Sequence, residues 1–253
     1  MEQKNWKERT ELLIGKSGSD ILQNSHVLIV GLGGVGSYAA EAIVRAGIGT
    51  VTIVDGDVVD PTNRNRQLQA LSSTHGQSKA LLMQQRLTDI NPTVNITMLD
   101  TFQNPDQVKE LLQNKYDYVI DAIDSISPKL YLIKTAIDNG HRIVSSMGAG
   151  GKMDPTKIEV ADISKTSMCP LAGQIRKRLK SLGVKHGVQA VFSKEIPERK
   201  SIMYTDGTNY KKSAYGTISY LPAVFGMTCA SVVIRDLIEW KELQAHNLFK
   251  EEK

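Results

Sequence analysis

The stretch "HVLIVGLGGVG", residues 26–36, decides the fold. Val27, Leu28, Ile29 and Val30 form an unbroken apolar run, as expected of a strand buried on both faces of a parallel sheet. The run closes on a G-x-G-x-x-G turn whose glycines are Gly31, Gly33, Gly34 and Gly36. Such a turn presents backbone N–H groups and a helix N-terminus to phosphate oxygens. The next segment, "GVGSYAAEAIVRAGI", is rich in small residues that let a helix approach the sheet. The next strand, "TVTIVD" (50–55), ends in Asp55, the placement of a ribose-hydroxyl acceptor in a dinucleotide fold. On these residues alone NAD is favoured, with FAD and ATP open.

Working outward, strands and helices alternate five times. A helix over 78–90 stops at Asn91-Pro92, "NITMLD" follows as a strand, and Pro105 opens a helix. Then come a strand at 116–123, a helix "PKLYLIKTAIDNG" closed by Gly140, and a strand "HRIVSSM". Residues 8–24 read as a helix interrupted by Gly15 and Gly18. This alternation predicts an α/β fold, Rossmann-like and doubly wound around a mainly parallel sheet, with a C-terminal extension carrying a basic segment. "KIEVADIS" (157–164) begins a less regular region with room for antiparallel strands, and about 193–216 reads as an exposed loop. The expected organisation is one domain over 1–253. Residues 9–150 form its nucleotide-binding core, and 151–253 form a substrate-binding and dimer-completing part.

Composition narrows the classes. A chain of 253 residues, 41% hydrophobic and 23% charged, needs no metal or disulfide staple. Its two cysteines, Cys169 and Cys229, form no C-x-x-C pair, which argues against a structural zinc site. The N-terminus lacks a signal-peptide core, and a cytoplasmic location is expected. The apolar stretch "ISYLPAVFGMTCASVVI" (218–234) contains Pro222 and Gly226 and is shorter than the roughly 20 residues that span a bilayer, so it reads as a buried helix.

Three features after the glycine turn turn the balance from NAD to ATP. "NRNRQ" (63–67) sets two arginines and two asparagines beside the ribose and phosphates. Lys79 opens the helix that follows. Asp124, in "DAIDS", lies past the fourth strand at the edge where open α/β sheets bind ligands. NAD keeps its pyrophosphate, whereas cations beside a metal-binding acid suit an ATP from which pyrophosphate must leave. Each residue alone has a plainer reading, a solvated charge for Arg66 or Lys79 and a helix N-cap for Asp124.

"GLGGVGSYAAEAIVRAGIGTVTIVDGDVVDPTNRNRQLQ", "GQSKALLMQQRLTDINP" and "VIDAIDS" resemble the ubiquitin-activating superfamily of ATP-dependent adenylating enzymes. The resemblance implies that Asp55 binds the ATP ribose, that Arg66 and Lys79 bind its phosphates, that Asn63 supports them and that Asp124 holds magnesium. It also implies a homodimer, in which Arg9 reaches into the other subunit's site. Arg66, Lys79, Asp124 and Arg9 are thus the expected catalytic set. "VSSMGAGGKMDPTKIEVADISKT" and "CPLAGQIRKRLKSLGV" resemble the branch that dehydrates threonylcarbamoyladenosine beside the tRNA anticodon. There ATP activates the threonine carboxylate and an intramolecular attack closes a ring, a step that needs no cysteine nucleophile. Sulfur-transfer proteins are a further partner class that the resemblance allows.

Charge supports a polyanionic partner. Residues 1–150 carry 14 Lys and Arg against 16 Asp and Glu, while 151–253 carry 17 against 11. Arg176, Lys177, Arg178 and Lys180 crowd into "QIRKRLK" and are the expected tRNA-phosphate contacts, though a solvated helix face would look the same. Tyr204, Tyr210 and Tyr215 are available for stacking on unpaired bases. The rival readings are an activator of a small carrier protein, a nucleotide-binding regulatory module and an NAD dehydrogenase.

Overall fold

The computed structural model describes residues 5–204 and 213–240. Helix α1 (Glu8–Gln23) breaks at Gly15, whose φ of 73° and ψ of 167° lie outside the helical region. The two halves fold back on each other. Lys7 Nζ donates to Gln23 Oε1 at 3.0 Å and Ser19 Oγ to Glu11 Oε1 at 3.2 Å, pairs too far apart in sequence to meet on a straight helix. Gly18, expected to break the helix as well, stays helical and packs on Ile14.

The chain then runs through β1 (His26–Val30), α2 (Gly36–Arg45), β2 (Thr50–Val54), α3 (Lys79–Ile90), β3 (Asn95–Leu99), α4 (Pro105–Leu111) and β4 (Tyr118–Asp121). It continues through α5 (Ile126–Asp138), β5 (Ile143–Ser146), β6 (Ile158–Asp162), α6 (Pro170–Ser181) and β7 (Gln189–Ser193). A hairpin of β8 (Ile202–Tyr204) and β9 (Ser213–Tyr215) precedes α7 (Tyr220–Leu237).

Seven strands form one sheet in the order β3-β2-β1-β4-β5-β7-β6. All neighbours are parallel except β6 and β7, so the antiparallel contribution foreseen around 157–164 is a single edge strand. The alternation along β1 explains why both faces are covered. Val27 and Ile29 join one apolar cluster with α2, α3 and α7, while Leu28 and Val30 join another with α4, α5 and α6. Each fully buried side chain of this size contributes about 1.5–3 kcal/mol.

The apolar stretch read as a buried helix is α7, and it packs on α2. A Cβ on Gly226 would come within 2.2 Å of the Val35 carbonyl oxygen, so only glycine admits this approach. α7 is long and apolar enough to cross a membrane by composition, yet half of that window is buried inside the protein. Tyr118, on β4, donates its hydroxyl to Asp236 Oδ2 at 2.8 Å and ties the helix end to the sheet. The segment expected as a loop at about 193–216 differs in part. It contains the β8–β9 pairing, with Gly216 N–H bonded to the Ser201 carbonyl at 2.9 Å. Tyr210, Lys211 and Lys212 lie outside the described residues.

Candidate nucleotide site

The strand order reverses direction between β1 and β4, and a crevice opens there at the C-terminal edge of the sheet. Into it project the glycine loop after β1, the Asp55–Lys79 connection after β2 and the Ala122–Ser125 turn after β4. Gly31 adopts φ +90°, and a Cβ there would meet the Ala122 carbonyl oxygen at 2.9 Å. At Gly36 it would sit 1.7 Å from the Gly31 carbonyl oxygen. Helix α2 therefore reaches the strand end only because position 36 has no side chain. At Gly33 the nearest protein atom would be Gln67 Nε2, at an ordinary 3.7 Å. A ligand lying against the backbone gives a reason for glycine there that the fold does not. Gly34 lies beneath the Arg66 and Pro222 side chains, so the start of α7 also borders this loop.

Asp55 is held at both oxygens, Oδ2 accepting the Leu32 N–H at 2.6 Å and Oδ1 the Asp57 N–H at 2.8 Å. Burial raises its pKa, opposed by nearby Lys79 and by these two bonds. Lys79 opens α3, which Ser78 caps by accepting the Leu81 N–H at 3.1 Å. Its nearly buried ammonium donates to Asp57 Oδ2 at 2.9 Å. Asp57, which the sequence reading passed over, thus keeps a buried cation paired. Asn63 is buried, and its Oδ1 accepts the Asp60 N–H at 3.2 Å, so its NH₂ end is the group to offer a ligand.

Arg66 Nη1 donates to the Thr62 carbonyl at 3.0 Å and to Asn65 Oδ1 at 2.9 Å. Burial lowers its pKa, while Asp124, close by, opposes that shift. Two residues far apart in sequence are therefore electrostatically coupled here. Asp124 is exposed and precedes Ser125, the N-cap of α5, which removes the N-cap alternative. Among the described residues there is no group of three or more His, Cys, Asp or Glu able to hold a metal. A single carboxylate fits magnesium, which completes its shell with phosphate oxygens and water.

Other expected residues lie elsewhere. Arg9 is exposed in the first turn of α1, beside Lys7, which meets Gln23 and Gly47 at the opposite edge of the sheet. It is not brought to this chain's own crevice. α6 starts next to Cys169, near Gly148 at the site edge, and leads to Gly187, whose N–H bonds Asp162 Oδ2 at the far edge. Its 12 residues span roughly 18 Å, so Lys177, Arg178 and Lys180, all exposed, lie well down the face from the glycine loop. Arg176 differs, donating to the Thr166 carbonyl at 2.8 Å and Oγ1 at 2.6 Å, so its guanidinium is partly committed to packing. Cys169 and Cys229 are both buried. Burial pushes the Cys229 thiol up to about 12.

With this geometry in place, comparison with known proteins gives a consistent answer. The ThiF family model matches residues 8–252. The tRNA threonylcarbamoyladenosine dehydratase of Bacillus subtilis is 42% identical over 243 residues, covering 93% of this chain and 96% of that protein. The crystal structure of the Escherichia coli tRNA threonylcarbamoyladenosine dehydratase in complex with ATP superposes with a TM-score of 0.85 at 38% identity, covering 96% of this chain and 99% of that one. Its complex with AMP gives a TM-score of 0.84 with the same identity and coverage. A match that takes in the Gly31–Gly36 loop, the Asp124 turn and the whole C-terminal half leaves one conclusion: this chain belongs to the ThiF family.

Proposed function

We propose that this chain is an ATP-dependent enzyme that dehydrates threonylcarbamoyladenosine in tRNA to its cyclic form. The observation that carries the reading is the full-length likeness to dehydratases, one of them crystallised with ATP and with AMP, in a chain whose Asp55, Arg66, Lys79 and Asp124 gather at one crevice. The threonine carboxylate attacks the α-phosphorus and pyrophosphate leaves; an atom of the same molecule's carbamoyl group then bonds to the acyl carbon, AMP leaves with the former carboxylate oxygen, and one proton is released. Adenylation is needed because a free carboxylate would have to expel oxide. Ring closure then gains from effective molarities that reach about 10⁵ M or more.

Each residue has a task in this scheme. The Asp55 carboxylate accepts from the ribose hydroxyls while the Gly31–Gly36 backbone approaches the phosphates. Arg66 and Lys79 offset charge on the departing pyrophosphate, and Asn63 donates its amide beside them. Magnesium, held by Asp124, would supply charge neutralisation on the phosphates. Arg9, placed at the far edge, acts in a partner's site, so the working unit is a homodimer. The exposed Lys177, Arg178 and Lys180 hold tRNA phosphates away from the chemistry. Both cysteines being buried supports cyclisation over thioester transfer to a carrier protein.

The test is direct. Incubation with ATP, magnesium and tRNA bearing threonylcarbamoyladenosine should yield AMP and a nucleoside lighter by one water, read by mass spectrometry under conditions that preserve the ring. AMP formation that depends instead on a protein ending in Gly-Gly would overturn the reading.

A further inference from the structure

Directly beneath the Asp124 turn lies a charged network that the scheme above does not use. Asp121, the last residue of β4, and Lys129, in α5, are both 0% exposed and form an ion pair at 2.6 Å. Lys129 Nζ also donates to Ser145 Oγ at 3.2 Å and to the Ser146 carbonyl at 3.0 Å, which uses its three N–H groups. Ser145 Oγ in turn donates to Asp121 Oδ2 at 2.5 Å. The other oxygen, Asp121 Oδ1, accepts the Ile123 N–H at 3.1 Å, one residue before Asp124.

A buried ion pair of this kind is a poor way to gain stability. Its desolvation cost rivals its Coulombic gain, and apolar side chains of equal volume do as well. Apolar side chains cannot, however, hold a backbone N–H. The Asp121–Ile123 bond fixes the peptide that leads into Asp124, and Lys129, itself held by Ser145 and Ser146, fixes Asp121. The same turn has no slack on its other flank, where Ala122 presses against the glycine loop. The Ala122 carbonyl oxygen is 2.9 Å from where a Cβ on Gly31 would be, and its methyl 3.1 Å from one on Gly36. The turn is wedged between the loop that takes the phosphates and a buried ammonium that ties β4, β5 and α5 together.

We propose that Lys129 is a positioning residue for adenylation: through Asp121 and Ser145 it sets the Ala122–Ser125 turn, and with it the Asp124 carboxylate, against the glycine loop. This rests on the reading of Asp124 as the acid that holds the metal. Groups that orient a metal-holding carboxylate typically change metal affinity or activity by about 10–100-fold when removed.

The experiment uses the full chain and a readout that needs no turnover. Manganese(II) binding in the presence of α,β-methylene-ATP is measured by electron paramagnetic resonance, and metal-free affinity for the analogue by calorimetry. Asp121→Leu with Lys129→Met replaces the pair by apolar groups and removes the acceptor for Ile123. Its manganese dissociation constant should rise about tenfold, with metal-free analogue affinity within about twofold of wild type. Asp121→Asn with Lys129→Met keeps an acceptor for the Ile123 N–H but loses the ammonium that holds it, and should recover only part of the loss; full recovery would place the positioning in Asp121 alone and overturn the role of Lys129. Ser145→Ala, a smaller change that removes one hydroxyl, should raise the constant about threefold and carries the test if the apolar pair does not fold. Wild-type manganese affinity in a folded Leu/Met variant, or in Ser145→Ala when that pair does not fold, would overturn the proposal. Asp124→Asn is run in parallel. If it leaves manganese binding unchanged, the reading of Asp124 itself fails; if it weakens binding while the network variants do not, only the role of Lys129 fails.

Discussion

The crevice at Gly31 and the basic face of α6 both gather charged residues, yet they are built in opposite ways. Around the crevice each group is fixed from several directions. Asp55 is bonded at both oxygens, Lys79 is buried on Asp57, Arg66 is braced by Thr62 and Asn65, and Asp121 is locked by Lys129. On α6, Lys177, Arg178 and Lys180 are exposed, while Arg176 is held by its bonds to Thr166. On the function proposed above, the difference separates chemistry from capture. A reacting phosphate demands fixed dipoles, because every ångström of freedom costs rate. A polyanion that is only being held rewards charge count, with little demand on geometry.

That contrast can be broken experimentally. Arg66→Ala and Asp124→Ala should each lower AMP formation by about 10²–10³-fold, the usual cost of one preorganised group that stabilises developing charge, with thermal midpoints near wild type. Retained turnover in either would dissolve the distinction at the crevice. Gly226→Ala comes next in size. It forces a methyl against the Val35 carbonyl and should destabilise the fold by about 1–3 kcal/mol in urea titrations, while weakening nucleotide binding because α7 underlies the loop.

The basic face should respond more mildly and in a different currency. Replacing Lys177, Arg178 and Lys180 together by Ala should leave kcat unchanged, weaken tRNA binding, and flatten its dependence on salt by about one unit of log–log slope per residue. A loss of kcat at saturating tRNA would move α6 into the chemistry. The smallest effect belongs to His26, at the edge of the sheet opposite the crevice. Burial lowers its pKa below 6.5, opposed by Asp117. As pH falls through 6.5 the unfolded chain takes up the proton first, so stability present at neutral pH declines toward the lower folded value. His26→Gln should remove that part of the slope in urea midpoints compared between neutral and mildly acidic pH.

What could be read from the sequence follows the same division. The places of the glycine loop, Asp55 and Asp124 in the fold are legible because each follows a strand end, and strand ends show as apolar runs that stop; Lys79 is legible as the start of a helix. The helix over 78–90 came within one residue for the same reason, Ser78 and Asn91-Pro92 punctuating it. The network under Asp124 was not legible. Asp121 sits inside "YDYVIDAI", where its charge looks like the end of a strand, and Lys129, though spaced with Leu132, Ile133 and Ala136, carries a charge that reads as exposed. Only the fold shows that the two meet. The α1 hairpin was half-legible, since both glycines stood out but only Gly15 takes the left-handed backbone. Charge density marked α6 as basic but gave no sign that it runs away from the site or that Arg176 is diverted to Thr166.

The contact between Gly226 and Val35 also has a consequence for biosynthesis. The glycine loop leaves the ribosome long before the helix that backs it. A nascent chain lacking residues past 220 therefore exposes the apolar side of α2 and has no completed nucleotide cradle. Any truncation designed to isolate the N-terminal half as a stand-alone ATP binder would meet the same gap.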